Sequence, residues 1–87
     1  MVALVWLVTG TSSGLGWCIA KSVLAAGHKV IATSRNPSKT PEAVGEIESS
    51  PNGKWVELDV TSEDLEQRVL ECIDVFGRVD VLVNNAG

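Results

Sequence analysis

Thr9-Gly-Thr-Ser-Ser-Gly-Leu-Gly16 is the stretch whose reading decides the fold. Val2-Ala-Leu-Val-Trp-Leu-Val8 before it is continuously apolar, and Trp17 to Ala26 after it follows a helical pattern. A strand, a glycine-rich turn and a helix start together make an anion site. Backbone N–H groups of a first helical turn have no intrahelical partner, and the helix dipole adds partial positive charge in front of them. The glycines divide the work. Gly10 lets the chain leave the strand in a conformation that a Cβ would obstruct. Gly14 lets backbone approach a pyrophosphate closely, and Gly16 lets the helix pack against the strand. The hydroxyls of Ser12 and Ser13 are donors for phosphate or ribose oxygens, so Gly10, Thr11, Ser12, Ser13, Gly14, Leu15 and Gly16 form the candidate turn. The spacing is G-x-x-x-G-x-G rather than G-x-G-x-x-G, and the absence of a Gly-Lys-Ser/Thr ending argues against a nucleoside-triphosphate loop. Taken alone, the stretch also reads as a strand–helix turn that binds nothing.

With 87 residues, at most one domain fits, and the chain is shorter than a usual dinucleotide-binding domain. A composition 45% hydrophobic and 21% charged is that of a globular protein. The net charge of −4 argues against nucleic acid as a partner, because phosphate backbones attract a basic face. No apolar run approaches membrane-spanning length, and no signal peptide is expected, since residues 2–8 are needed as a strand. Cys18 and Cys72 fall on different expected helices and read as two free buried thiols in a reducing compartment, so a cytoplasmic location is expected.

The remaining pattern alternates regularly. Leu15 to Ala26 reads as a helix ended by Gly27, and Lys29 to Thr33 as a second strand. Asn36 to Ser50 is a weaker helical segment interrupted by Pro37, Pro41 and Gly45. Pro51-Asn-Gly53 is a turn, and Lys54 to Asp59 a third strand. Thr61 with Asp64 has the form of a capping box for a helix whose face is Leu65, Val69, Leu70, Ile73 and Phe76, ended by Gly77. Val79 to Val83 is a fourth strand. The order βαβαβαβ implies an α/β fold with a parallel sheet and right-handed crossovers. Trp6 and Trp55 read as strand core residues. Trp17 is either half exposed or a cover for a ligand edge, with packing preferred.

Three ordered motifs now carry a resemblance: Thr9 to Gly16 after the first strand, Leu58-Asp-Val60 after the third, and Asn84-Asn-Ala-Gly87 after the fourth. Together they resemble the cofactor-binding half of the short-chain dehydrogenase/reductase family, from Val2 to Gly87. The resemblance implies a Rossmann-like doubly wound parallel sheet, truncated after the fourth strand, with residues 1–87 as a partial NAD(P)-binding domain. It implies that Asp59 accepts a hydrogen bond from the adenine amino group, with Val60 beside it. Asn85, Ala86 and Gly87 would line the adenosine ribose side, Asn84 would brace neighbouring strands, and the Leu15 N–H would reach the pyrophosphate. In isolation, Asp59 also reads as a helix-approach residue, and Asn84 and Asn85 as a polar turn.

Cofactor choice follows from the end of the second strand. Folds that take NAD usually carry a carboxylate there for the ribose hydroxyls; this chain has Thr33-Ser34-Arg35. Arg35 suits the 2′-phosphate of NADP, which a carboxylate would repel. A charge-assisted contact of roughly 1.5–3 kcal/mol corresponds to about 10- to 100-fold preference for NADP over NAD. Arg35 also reads as a solvated loop arginine, and the glycine turn holds no second basic residue.

Hydride transfer in the family uses a serine and a Tyr-x-x-x-Lys pair downstream of the Asn-Asn-Ala-Gly motif, and this chain has no tyrosine. His28, in a Gly-His-Lys turn, reads as a surface loop residue. The expectation is therefore the amino-terminal segment of an oxidoreductase acting on a small carbonyl or alcohol substrate in its full-length form. The alternative is an inactive NADP-binding or interaction module. The fourth strand would be an open edge, so self-association through it is expected.

Overall fold

The computed structural model describes residues 2–12 and 14–85. Its elements are β1 (Val5–Val8), α1 (Gly14–Ala25), β2 (Lys29–Ser34), a 3₁₀ turn (Pro37–Lys39), α2 (Pro41–Glu48), β3 (Gly53–Glu57), α3 (Leu65–Phe76) and β4 (Val81–Val83). All four strands are parallel in one sheet of order β3-β2-β1-β4. The register sets Trp6 beside both Val30 and Val81, and Ala32 beside Trp55.

The sheet is covered on both faces, which is why β1 is apolar throughout and β2 is buried at every residue after Lys29. On one face, Val8, Val30, Ala32 and Trp55 meet Ala20 and Val23 of α1 and Ile47 of α2. On the other, Val5, Leu7 and Ile31 meet Cys72 of α3, with Val75, Phe76 and Val79 around it. This is the doubly wound, Rossmann-like arrangement expected from the sequence. Gly53 starts β3 against α2, where an added Cβ would lie 2.2 Å from the Ile47 carbonyl oxygen. The end of α1 is also as expected. Gly27, at φ 83°, donates to the Leu24 carbonyl while His28 N–H donates to that of Val23, a Schellman closure.

Several boundaries move for identifiable reasons. β1 begins at Val5 rather than Val2, because its partner β2 starts only at Lys29. His28 bridges that corner by accepting the Leu4 N–H at its Nδ1, 2.9 Å away, so it has a structural task beyond that of a plain loop residue. β4 begins at Val81 rather than Val79. The Asp80 carboxylate takes the Val5 N–H at 2.8 Å, and Val79 packs beside Cys72 and Phe76. β3 ends at Glu57, since Asp59 is drawn into a turn.

The expected capping box at Thr61 is not formed. The Thr61 hydroxyl donates to Asp59 Oδ1 at 2.6 Å, and the helix starts later, with Asp64 in the cap position and no side-chain cap bond. A local side chain–backbone turn has outcompeted the cap. The buried stripe of α3 also differs, with Leu70 56% exposed and Cys72 fully buried. At 100° per residue, Leu70 sits about 140° from Leu65, whereas Cys72 lies within the stripe. Of the two expected buried thiols only Cys72 is buried; Cys18 is exposed, and both are free. Trp55 is core as expected, while Trp6 is half-buried with an indole N–H that finds no acceptor among the described residues. Trp17 packs on the α1 side, with the Lys21 ammonium 5.4 Å from its ring centroid. β4 pairs only with β1 among the described residues, leaving Leu82 63% exposed. No described helix is long and apolar enough to cross a membrane.

Candidate functional site

The candidate turn is built from the ends of three adjacent strands. As β1 ends, Thr9 N–H donates to the Val83 carbonyl and Thr11 N–H to that of Thr33, so the turn is tied to β4 and β2. Asn85 closes it from the β4 side: its backbone N–H donates to Thr9 Oγ1 at 2.9 Å and its Nδ2 to the Gly10 carbonyl at 3.1 Å. Thr9 Oγ1 also lies 3.4 Å from Asn84 Oδ1, the bracing position expected for Asn84. Gly10 has φ 65°, and its carbonyl lies against the start of α1. A Cβ on Gly16 would lie 2.3 Å from that oxygen and 2.8 Å from Asn85 Nδ2. Gly16 is thus required by close packing. Gly14, at φ 62°, has nothing among the described residues within 4 Å of where its Cβ would be, which leaves that face open on their side.

Thr11 departs from its expected place among the phosphate contacts. It is fully buried, its hydroxyl donating to the Val8 carbonyl at 2.9 Å and accepting from Thr33 N–H at 3.2 Å. Threonine here fixes the shape of the turn by satisfying backbone groups that β1 and β2 leave over.

A cleft of about 330 Å³ opens at the carboxyl ends of β1, β2 and β3. It brings together Gly10, Ser12, Ser34, Arg35, Asp59 and Val60, six of the residues singled out from the sequence. Leu58 and Thr61 line it as well and were missed. The Asp-x-Thr spacing is a turn signal that could have pointed to Thr61. Leu58 stands in the Leu58-Asp-Val60 motif, and its position just before Asp59 could have pointed to it. Gly14, Leu15, Gly16 and Asn85 stand outside this lining: the first three open α1, and Asn85 sits against Gly10. Ser13, Ala86 and Gly87 lie outside the described residues.

The chemistry of the lining is graded. Ser34 is buried, and its Oγ accepts the Trp55 indole N–H at 3.0 Å, which leaves its own proton to donate. Arg35 is exposed and makes no hydrogen bond or ion pair among the described residues. Asp59 receives the Thr61 hydroxyl and N–H, which hold its carboxyl below the usual carboxylate range, helped by the field of Arg35. Asp59 is therefore a fixed, ionised acceptor. The first-turn N–H groups of α1, which a helix leaves without an intrahelical partner, together with the lack of an acidic residue in that turn, suit phosphates; hydroxyl and guanidinium donors at the β2 end suit a ribose or its phosphate. Leu58 and Val60 with an acceptor between them suit a heterocycle bearing an amino group. The residues present thus fit an adenine dinucleotide, at the strand ends where open α/β sheets bind ligands. Among the described residues, no group of three or more His, Cys, Asp or Glu side chains could hold a metal ion.

A family model described as short chain dehydrogenase matches residues 4–87. The chain is 44% identical over 82 residues to the oxidoreductase claN of Passalora fulva, covering 94% of this chain and 37% of that protein. The solved structure of a short-chain dehydrogenase from Streptomyces avermitilis superimposes with a TM-score of 0.84 at 43% identity, over 98% of this chain and 31% of that one. A 3-ketoacyl-(acyl-carrier-protein) reductase from Brucella melitensis, solved in complex with NADH, gives a TM-score of 0.84 at 35% identity, over 97% and 34%. The chain therefore spans about a third of the length of these relatives.

Proposed function

The chain belongs to the short-chain dehydrogenase family, and from that premise we propose that residues 1–87 are the NADP(H)-binding part of a Rossmann domain. The whole protein would be an oxidoreductase passing hydride between the nicotinamide and a small carbonyl or alcohol substrate. The observation that carries the cofactor choice is the end of β2. Ser34 is buried against Trp55, no carboxylate follows it, and Arg35 stands unpaired among the described residues on the rim of the cleft. A 2′-phosphate would meet a guanidinium there, in place of the acceptor that a free 2′-hydroxyl favours. The Brucella melitensis reductase was solved with NADH, so the argument for NADP rests on this chain's own residues.

In this reading the N–H groups from Ser12 to Gly16, with the Ser12 and Ser13 hydroxyls, hold the pyrophosphate. Ser34 and Arg35 hold the adenosine ribose and its phosphate. Asp59 accepts the adenine amino group between Leu58 and Val60, and Asn85, Ala86 and Gly87 flank the ribose. The 87 residues hold no tyrosine, so no residue among them supplies the tyrosine proton donor that the family uses for carbonyl reduction. Two further points belong to the reading. The edge of β4, which has no second partner among the described residues, favours with the exposed Leu82 association between copies. Two unpaired cysteines favour the cytoplasm.

Reduced nicotinamide absorbs where tryptophan emits, which gives a direct test. NADPH should quench the fluorescence of the three tryptophans of the folded chain, saturably and at lower concentration than NADH. No quenching of a sample whose circular dichroism shows it folded refutes the binding; tighter NADH binding refutes the cofactor choice.

A further inference from the structure

Arg35 stands on a divide between two clefts of opposite character. On one side lies a cleft of about 430 Å³ with Glu57, Asp59 and Asp64 in its lining, where the further cation Arg68 is already paired with Asp64 and Glu71. On the other lies one of about 370 Å³ formed by Ser12, Ser34, Arg35, Asn36, Lys39 and Thr40. The second contains two cations and no carboxylate, in a chain whose net charge is −4. Lys39 closes the 3₁₀ turn Pro37–Lys39 and is exposed; like Arg35, Lys29 and Lys54 it makes no ion pair among the described residues, and of these four only Arg35 and Lys39 line this cleft. Thr40 Oγ1 is buried with no hydrogen-bond partner among the described residues.

Two unpaired cations converging on a cleft with hydroxyl and amide donors make an anion site, and the wall it shares with the dinucleotide cleft is Ser12, Ser34 and Arg35. We propose that Lys39 is a specificity-determining residue, the second cation of a clamp in which Arg35 and Lys39 hold the phosphate on the adenosine ribose. The proposal rests on the cofactor reading above and deepens it. It supplies the second positive charge that the glycine turn lacks, from a residue that sequence spacing does not link to the site. The geometry also fixes the side of approach: a phosphate turned toward Glu57 and Asp64 would meet carboxylates, so it turns toward Lys39. The guanidinium supplies a planar fork and the ammonium a mobile point charge, which together neutralise a group carrying nearly two negative charges.

The test compares dissociation constants of NADPH and NADH for the parent chain, Lys39→Gln and Lys39→Arg, by tryptophan quenching, with circular dichroism confirming that each is folded. Loss of one charge-assisted contact should weaken NADPH binding to Lys39→Gln by about tenfold, with NADH unchanged and Lys39→Arg close to the parent. A parent that prefers NADPH together with a Lys39→Gln that binds it unchanged overturns the role of Lys39 and leaves the cofactor reading standing. Equal weakening of both cofactors also overturns it, since NADH has no phosphate to hold there. A parent that does not prefer NADPH overturns the cofactor reading, and the role of Lys39 falls with it.

Discussion

Gly16→Ala is the substitution whose effect can be worked most fully from the structure. Alanine is normally the better helix former, by about 1 kcal/mol over glycine in a helix interior. Gly16 is the third residue of α1, so helix propensity alone predicts a gain. The packing predicts the reverse. The new methyl would lie 2.3 Å from the Gly10 carbonyl oxygen and 2.8 Å from Asn85 Nδ2. The nearer contact is backbone, held by the bonds of Thr9 to β4 and Thr11 to β2 and by those of Asn85 to Thr9 and Gly10, so it cannot swing aside. Overpacking of this kind costs about 1–3 kcal/mol, and the rigidity of the turn puts it at the upper end. After the propensity gain, a net loss of about 1–2 kcal/mol remains. For a domain of this size that lowers Tm by about 4–16 °C, read by circular dichroism. Gly14→Ala is the control. Its methyl meets nothing within 4 Å among the described residues but sits at φ 62°, a left-handed conformation costing about 1–2 kcal/mol. The two variants should therefore lose similar stability. Gly14→Ala should lose NADPH affinity by obstructing the open face, and Gly16→Ala by moving the turn. A Gly16→Ala protein as stable as the parent, or more so, would refute the packing of Gly10 onto α1.

Other substitutions read other parts of the account. Thr11→Val removes a hydroxyl that serves both the Val8 carbonyl and the Thr33 N–H, and Val8 keeps the Thr33 hydroxyl as a second donor. One buried N–H is left unsatisfied, at about 1–3 kcal/mol, which thermal unfolding should show as a lower Tm. Asp80 is held below the usual carboxylate range by the Val5 N–H and the Arg78 guanidinium. Its folded pKa is depressed, so its contribution is full above the ordinary carboxylate pKa of about 4 and is lost as pH falls through the lower folded value. Tm should fall in that acid window, and Asp80→Asn should flatten the fall while lowering Tm at neutral pH. Leu82→Lys places a charge on the open edge of β4, and sedimentation should show less self-association with no loss of helix content. Unchanged association would move the contact away from β4.

The parts of the fold that local chemistry dictates were legible in the sequence. The apolar runs around Val5–Val8 and Lys29–Ser34, the Gly27 stop and the glycine turn each depend on neighbours within a few residues. Competition and distance account for what was not. At Asp59 the carboxylate took the Thr61 hydroxyl before a helix cap could use it, and both readings are compatible with the same local string. Cys72 outranks Leu70 on α3 because helix angle, and not hydropathy, decides which side chain faces Ile31. Thr11 counts by sequence in the cofactor-binding turn, and only the pairing of β1 with β2 brings Thr33 N–H to its hydroxyl. Lys39 enters the site through the 3₁₀ turn, which folds it back beside Arg35; no spacing rule anticipates that.

The central claim is that a dinucleotide lies across the carboxyl ends of β1, β2 and β3 with its pyrophosphate at the start of α1. The most direct measurement is a titration of the ¹⁵N-labelled chain with NADPH, following each backbone amide by NMR. The account predicts saturable shifts concentrated at residues 10–16, 34–36 and 58–61, with little change at the Arg78–Asp80 corner at the opposite strand ends. Shifts centred instead on the apolar groove between α1 and β4, around Trp6, Ile19 and Val83, would contradict it.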